Sequence, residues 1–296
     1  MAATFLVRYG ELALKSPPVR REFERTLERN ILERFRAAGL PCRLRSDHGH
    51  FYVVADDAPR AGRFLRTIFG VTSVSEVTEV ESEEPKIAAA LLTLADPALV
   101  DGSRYAVRAR RVGSHPFTSQ ELAGRLGAAI GERFADRHLR VDLTHPTVEL
   151  QVEVRGPRTY LSLDRARGPG GLPLGVAGSL VALVDGPRGA LGAYLMMKRG
   201  CTTAVVVDEP GRSYADDVLR CYAPSMTVEP AGADPLGVLG ALAERVRADG
   251  VVLPLAVEQY SEARAQWGDR VLFSPTVGFS EEEVAERWAV VRARAN

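Results

Sequence analysis

Lysine is scarce, cysteine numbers three, and no long apolar run interrupts the 296 residues. Each shortage excludes something. Without roughly 18 to 20 consecutive apolar residues, no membrane-spanning helix and no membrane partner are expected. "MAATFLVRYGELALK" meets charged residues almost at once, so it does not read as a secretory leader. Cys42, Cys201 and Cys221 are too widely spaced for a CxxC pair or a disulfide framework. The cytosol is the expected compartment. The pair His48 and His50 has no third ligand nearby, so no metal site is expected. Net charge is missing too, with 38 basic against 38 acidic residues, and the total alone argues against a nucleic-acid partner.

The distribution of charge argues the other way. Twelve arginines face seven acidic residues between Arg104 and Arg167, whereas nine face fifteen from Cys201 to Asn296. A neutral sum therefore hides a basic middle and an acidic C-terminal part. Hydrophobic content of 46% and charged content of 26% are those of a globular protein, and the length suits two or three domains.

Periodicity divides the chain. "ATFLVRYG" reads as a strand, and "PVRREFERTLERNILERFRAAG" as a helix with Phe23, Leu27, Ile31 and Phe35 on one stripe. Two strands around Asp47–Gly49, a helix stopping at Gly70 and the strand "TSVSEVTEVES" complete a β-α-β-β-α-β order, which predicts a ferredoxin-like domain over 1–75. A helix, the strand "SRYAVRARRVG", a helix with capping-box spacing at Thr118 and Glu121, and two or three further strands fill 76–167. Gly168–Pro169–Gly170–Gly171 reads as a linker. Over 174–296 the apolar strands "LVALVD", "TAVVVD", "VVLPLA" and "VLFSP" alternate with helices, which predicts a parallel sheet covered on both faces. The fold class is thus α/β and α+β.

"VRARRVGSHPFTSQELAGRLG", "VDLTHPTVELQVEV" and "GPGGLPLG" resemble the THUMP domain and exit linker of the tRNA 4-thiouridine synthetases, or tRNA sulfurtransferases. "RYGELALKSPPVRREFERTLERNI" is similar to that family's ferredoxin-like domain. "LVALVDGPRGALGAYLMMKRGC" resembles the start of its PP-loop ATP-pyrophosphatase domain. The resemblance covers nearly the whole chain in family order. It implies a THUMP domain over 76–167, a Rossmann-like PP-loop domain over 174–296, and tRNA, gripped at its acceptor stem and 3′ end, as partner. Family members that pair as dimers imply a homodimer.

At the nucleotide turn the family carries Ser-Gly-Gly-x-Asp-Ser, whose N–H groups and hydroxyls wrap the ATP pyrophosphate. In register stand Asp185, Gly186, Pro187, Arg188, Gly189 and Ala190. Only Gly186 survives. Asp185 opposes phosphate, at a cost of roughly 4 kcal/mol for about 4 Å and an effective dielectric of about 20. Pro187 lacks an N–H, and Gly189 and Ala190 remove the family's carboxylate and second hydroxyl. Arg188 could attract a phosphate, but one flexible cation does not replace a nest of donors. Pro254, Leu255 and Ala256 stand where the family has Thr-Gly-Glu. Neither Cys201, which reads as a core residue, nor Cys221 is in a setting that activates a thiol for sulfur transfer. No catalytic residue and no cofactor are expected. ATP with magnesium belongs to the alternative, a divergent sulfurtransferase. Restoring the motif at Asp185–Ala190 is expected to return weak ATP binding.

The RNA-binding candidates are more intact. Arg104, Arg108 and Arg110 alternate on one strand face, and Arg111 and His115 fall at the turn beyond it. Phe117 is a candidate for stacking on a base, or a staple at the start of the helix. Lys15, Arg20 and Arg21 sit near the first helix N-terminus. The expected function is tRNA binding without catalysis, as an adaptor in tRNA modification and with a partner protein for the chemistry. Lost RNA binding is the third reading.

Overall fold

The computed structural model describes residues 2–10, 16–47, 49–267 and 270–295. The first helix, α1 (Pro17–Ala37), buries Leu27, Ile31 and Phe35 of the expected stripe against the core face of β1 (Ala3–Tyr9). Gly39 follows it at φ 63°, the left-handed conformation that ends a helix. β2 (Cys42–Asp47) and β3 (His50–Ala55) form the expected hairpin. The second helix, α2 (Ala58–Leu65), stops short of Gly70, because its last turn gives way to Thr67, whose hydroxyl bonds the Phe64 carbonyl at 2.9 Å.

β4 (Val71–Glu81) joins two units that the sequence separates. Its first half pairs with β1 and its last residues with β8 (Arg158–Ser162), so one strand crosses the boundary expected at residue 75. The resulting sheet runs β2-β3-β1-β4-β8-β7-β5-β6, with β9 (Ala166–Arg167) also on β4. In the second unit α3 (Glu84–Ala95) and α4 (Ser119–Arg133) cover β5 (Arg104–Val112) and β7 (Val148–Arg155), while β6 (Arg140–Val141) lies at the edge. Both bonds of the Thr118–Glu121 capping box are present.

Along β4 the two halves of the sheet fold toward each other. Leu6, Tyr52, Val77 and Tyr160 meet there, with the two tyrosine rings 4.7 Å apart. Beside them the guanidinium of Arg8 (6% exposed) donates through Nε to Glu153 (7% exposed) at 2.9 Å and through Nη1 to Ser75 Oγ at 3.0 Å. Arg155 gives Glu153 a second donor at 2.9 Å and also reaches His50 Nε2 at 2.9 Å. Burial opposes ionisation of Glu153, but Arg8 and Arg155 outweigh it and hold its carboxyl below the usual range.

The third unit is a parallel sheet ordered β12-β11-β10-β13-β14: Val228–Pro230, Thr202–Val207, Ser179–Val184, Gly250–Val252 and Val271–Phe273. The edge strand β12 has too little apolar character to be seen in the sequence. On one face lie α5 (Pro187–Lys198) and α10 (Glu281–Ala295), joined by α6 (Glu209–Ser213), the π-helical turns Tyr214–Leu219 and α7 (Arg220–Tyr222). On the other lie α8 (Pro235–Arg245) and α9 (Val257–Gln266). Phe69 inserts from the first unit into this core, between Tyr194 and Tyr222 at 5.3 and 5.5 Å. The glycine-rich connection is pinned: Gly170 exchanges backbone bonds with Gly70 and Val71. At Gly171 (φ 75°) a Cβ would fall 2.1 Å from the Lys198 carbonyl, so only glycine passes.

Candidate RNA interface and nucleotide turn

β5 displays its arginines as the alternation predicts. Tyr105 and Val107 are buried toward α4, while Arg104 and Arg110 are exposed and Arg108 is half-buried. Arg104 pairs with Asp142 at 3.2 Å; Arg108 pairs with Glu149 at 2.6 Å and donates to the Leu143 carbonyl at 2.5 Å. Glu149 is 42% exposed, so its pair with Arg108 is weak, whereas Asp142 is 25% exposed and also accepts from the Thr144 and His145 backbone N–H groups. Arg111 is still in the strand rather than at the turn, and donates to the Gly113 carbonyl at 2.9 Å.

Arg108 and Arg110 line an open cleft of about 680 Å³ with Gln151, Ser119 and Arg165. The sequence reading overlooked Arg165, because it sits in an irregular stretch between strands. Its Nε donates to Ser73 Oγ at 3.0 Å, which ties it to the sheet that carries the stripe. The cleft takes in the first residue of α4, where the helix end adds to the positive field.

Of the two readings of Phe117, its burial favours the staple over base stacking. Phe117 is 5% exposed, packed in the core of the second unit, so it is not free to stack on a base. Its burial follows from its place just before the capping box, where an apolar residue closes over the helix start. His115 stacks on that ring (5.6 Å, 17°) and bonds the Val112 carbonyl at 3.2 Å, leaving its exposed edge toward solvent. Arg20 is engaged with Glu24 at 2.8 Å, Arg21 is exposed on α1, and Lys15 lies outside the described residues, as does His48.

The turn after β10 is closed in a way the sequence does not reveal. Pro187 opens α5, with Gly186 as its N-cap. Arg188, expected as a flexible cation, is 14% exposed and turned away. Its Nη1 donates to the Thr276 carbonyl at 2.6 Å, and Nη2 to the Phe279 carbonyl at 2.8 Å and to Glu281 at 2.7 Å. Gly189 lies so close to β10 that a Cβ would meet the Leu183 carbonyl at 2.5 Å. An aspartate at this position would require the helix start to shift away from β10. Asp185 is exposed at the turn, but desolvation by its surroundings raises its carboxyl pKa, and Asp208 adds to the rise.

Beside Asp185, at the C-terminal ends of β10 and β13, is a hollow of about 270 Å³. Its walls include Leu183, Leu253, Pro254, Leu255 and Glu262. Gln259 joins these apolar groups and the carboxylates of Asp185 and Glu262, and among the described residues no arginine or lysine lines the hollow. Two of the thiols are hydrogen-bonded within the protein. Cys201 is buried, donates to the Ala177 carbonyl, and has its pKa raised by burial; Cys221 bonds the Asp217 carbonyl at 3.4 Å.

This architecture matches known proteins. The ThiI ferredoxin-like domain family matches residues 4–75, and the THUMP domain family matches 81–164. A probable tRNA sulfurtransferase from Methanosarcina acetivorans is 35% identical over 226 residues, covering 73% of this chain and 55% of that protein. The crystal structure of PH1313 from Pyrococcus horikoshii superposes with a TM-score of 0.82 at 25% identity, over 97% of this chain and 99% of that one. A 4-thiouridine synthetase solved with RNA and bound ATP shares the fold at a TM-score of 0.80 and 21% identity, over 100% of this chain and 86% of that one. The chain belongs to the ThiI-like tRNA sulfurtransferase family, with a ferredoxin-like domain, a THUMP domain and a parallel-sheet C-terminal domain. It spans about half the length of the curated relatives it matches. Among the described residues no helix is long and apolar enough to cross a membrane.

Proposed function

We propose that the protein binds tRNA through its THUMP domain, at the acceptor stem and 3′ end, and acts in tRNA modification in the cytoplasm without adenylating the RNA itself. The C-terminal domain then serves as scaffold and as a platform for a partner protein, with a homodimer as the expected assembly. The observation that carries the loss of chemistry is the fastened turn. Adenylation needs the pyrophosphate held for in-line attack on the α-phosphorus. Here Pro187 cannot donate, Arg188 is tied to the 276–281 loop, and Gly189 lies against the Leu183 carbonyl. The RNA side rests on the stripe of Arg104, Arg108 and Arg110, with Arg111 beside it on the opposite strand face; their permanently charged guanidinium groups suit phosphates.

A second reading, a divergent tRNA sulfurtransferase, draws on the name carried by the relatives. One pair of measurements separates the two. Titration calorimetry with ATP and magnesium should give no heat, and no tRNA-dependent pyrophosphate should be released, while tRNA still binds. ATP binding in the micromolar range with pyrophosphate release would establish the second reading instead. Absence of tRNA binding at low salt would remove both.

A further inference from the structure

Between α1 and the C-terminal domain lies a cleft of about 390 Å³, within the size range of small-molecule sites. Its wall is mostly apolar: Ala37, Ile68, Phe69, Leu174, Tyr222 and Pro224. One guanidinium, that of Arg34, enters this wall. Its Nε is fully buried and finds no hydrogen-bond partner in the structure. The group stacks over Phe64, with its carbon 4.8 Å from the ring centroid. Burial lowers the Arg34 pKa, and the one electrostatic contribution that opposes it is from the Cys221 thiol. Arg66 also has an unpartnered buried Nε, but Asp164 supplies it with opposite charge. Glu33 lines the same cleft yet is exposed.

A buried donor without an acceptor is costly, and most such groups have a partner of some kind. The covered Nε is out of a ligand's reach, so a ligand in this cleft pairs with the terminal nitrogens of the same guanidinium, which have no hydrogen-bond acceptor among the described residues. We propose that this cleft binds a small organic anion, whose carboxylate or phosphate pairs with Arg34 while an apolar or aromatic body lies against Phe69, Tyr222 and Pro224. The charge-assisted bond supplies orientation, and the apolar wall supplies contact area. Because Phe69 belongs to the first unit and Tyr222 to the third, the ligand bridges them and stiffens the junction. The site is separate from the arginine stripe and does not depend on the proposed tRNA function.

The probes are phenylacetate, phenylphosphate and phenethylammonium, which share a ring and differ in the charged group. Each is titrated into the full chain by calorimetry, and its effect on the melting temperature is followed. At least one anion should bind and raise the melting temperature, and the ammonium ion should do neither. Preference between the two anions identifies the ligand class as carboxylate or phosphate. Arg34→Met, which keeps the apolar stem, should weaken anion binding about tenfold or more. Ala37→Phe, which fills the rim, should abolish it. Failure of both anions to bind at millimolar concentration, or ammonium binding as tight as that of the anions, would overturn the proposal. So would full affinity in a folded Arg34→Met protein. These outcomes on the unmodified chain stand even where a variant does not fold.

Discussion

Replacing Glu153 by glutamine should loosen the junction between the ferredoxin-like and THUMP domains far more than a surface change of equal size. The carboxylate is nearly inaccessible and accepts from both Arg8 and Arg155, which come at it from different strands. Neutralising it leaves two guanidinium groups facing an amide, with Arg8 still buried. Breaking a buried pair from one side typically costs about 3–5 kcal/mol. The double change Arg8→Met with Glu153→Leu removes the unpaired charge, so it should cost less than Glu153→Gln alone. Urea unfolding at pH 7 measures both, and hydrogen exchange at β1 and β7 amides localises the effect. The pH dependence has a definite sign. The folded carboxyl is held below its usual value, so its contribution is present above the unfolded pKa of about 4.3 and fades as pH falls through the folded value. The gap between wild type and Glu153→Gln should therefore narrow as the pH falls below the usual carboxylate range. A cost below about 1 kcal/mol at pH 7 would refute the reasoning. A gap that does not change with pH would do so equally.

Charge reversal at Arg108, Arg110 and Arg111 should abolish tRNA binding without lowering the melting temperature; retained affinity would move RNA contact elsewhere. Wild-type affinity should fall steeply with salt, with a log–log slope near −0.9 per phosphate on duplex DNA and a comparable trend on tRNA. Phe117→Ala should cost about 3–5 kcal/mol of stability, because the ring is core, and a folded variant with normal stability would contradict its burial. Arg188→Ala should make the 276–281 segment susceptible to limited proteolysis while leaving ATP affinity unchanged at zero. Sedimentation at micromolar concentration should show a dimer; a monomer removes the homodimer from the proposal.

Much of the fold was legible because local signals agreed with tertiary needs. The α1 stripe, the capping box at Thr118 and the apolar strands β10 and β11 each satisfy packing and propensity together. The bend of β4 was not legible, since the same alternation serves two partners and nothing in "TSVSEVTEVES" marks where pairing changes hands. Nor was the Arg8–Glu153 pair, whose members are 145 residues apart and each sit in an ordinary alternating strand. Phe117 shows the opposite limit. Its type suits base stacking, and only the packing of α4 on β5 decides that it is core.

The turn after β10 is held by contacts within the protein itself. A phosphate cradle leaves backbone N–H groups unpaired at a helix start, a liability unless an anion satisfies them. Proline at the first position of α5 removes one such donor. The glycine at 189 then lets the helix settle against β10, closer than any side chain would allow. Arg188 fastens the neighbouring loop in place through two carbonyls and Glu281. Each of these groups is accommodated within the protein. Point reversion at Gly189 alone should therefore destabilise the domain rather than restore binding. The Cβ of Gly189→Ala already meets a backbone oxygen at 2.5 Å, and the cost of overpacking is about 1–3 kcal/mol. Urea unfolding of Gly189→Ala, with an ATP titration of the folded fraction, tests this directly. Wild-type stability in that variant would mean that the helix can retreat and that the turn is still free to rebuild.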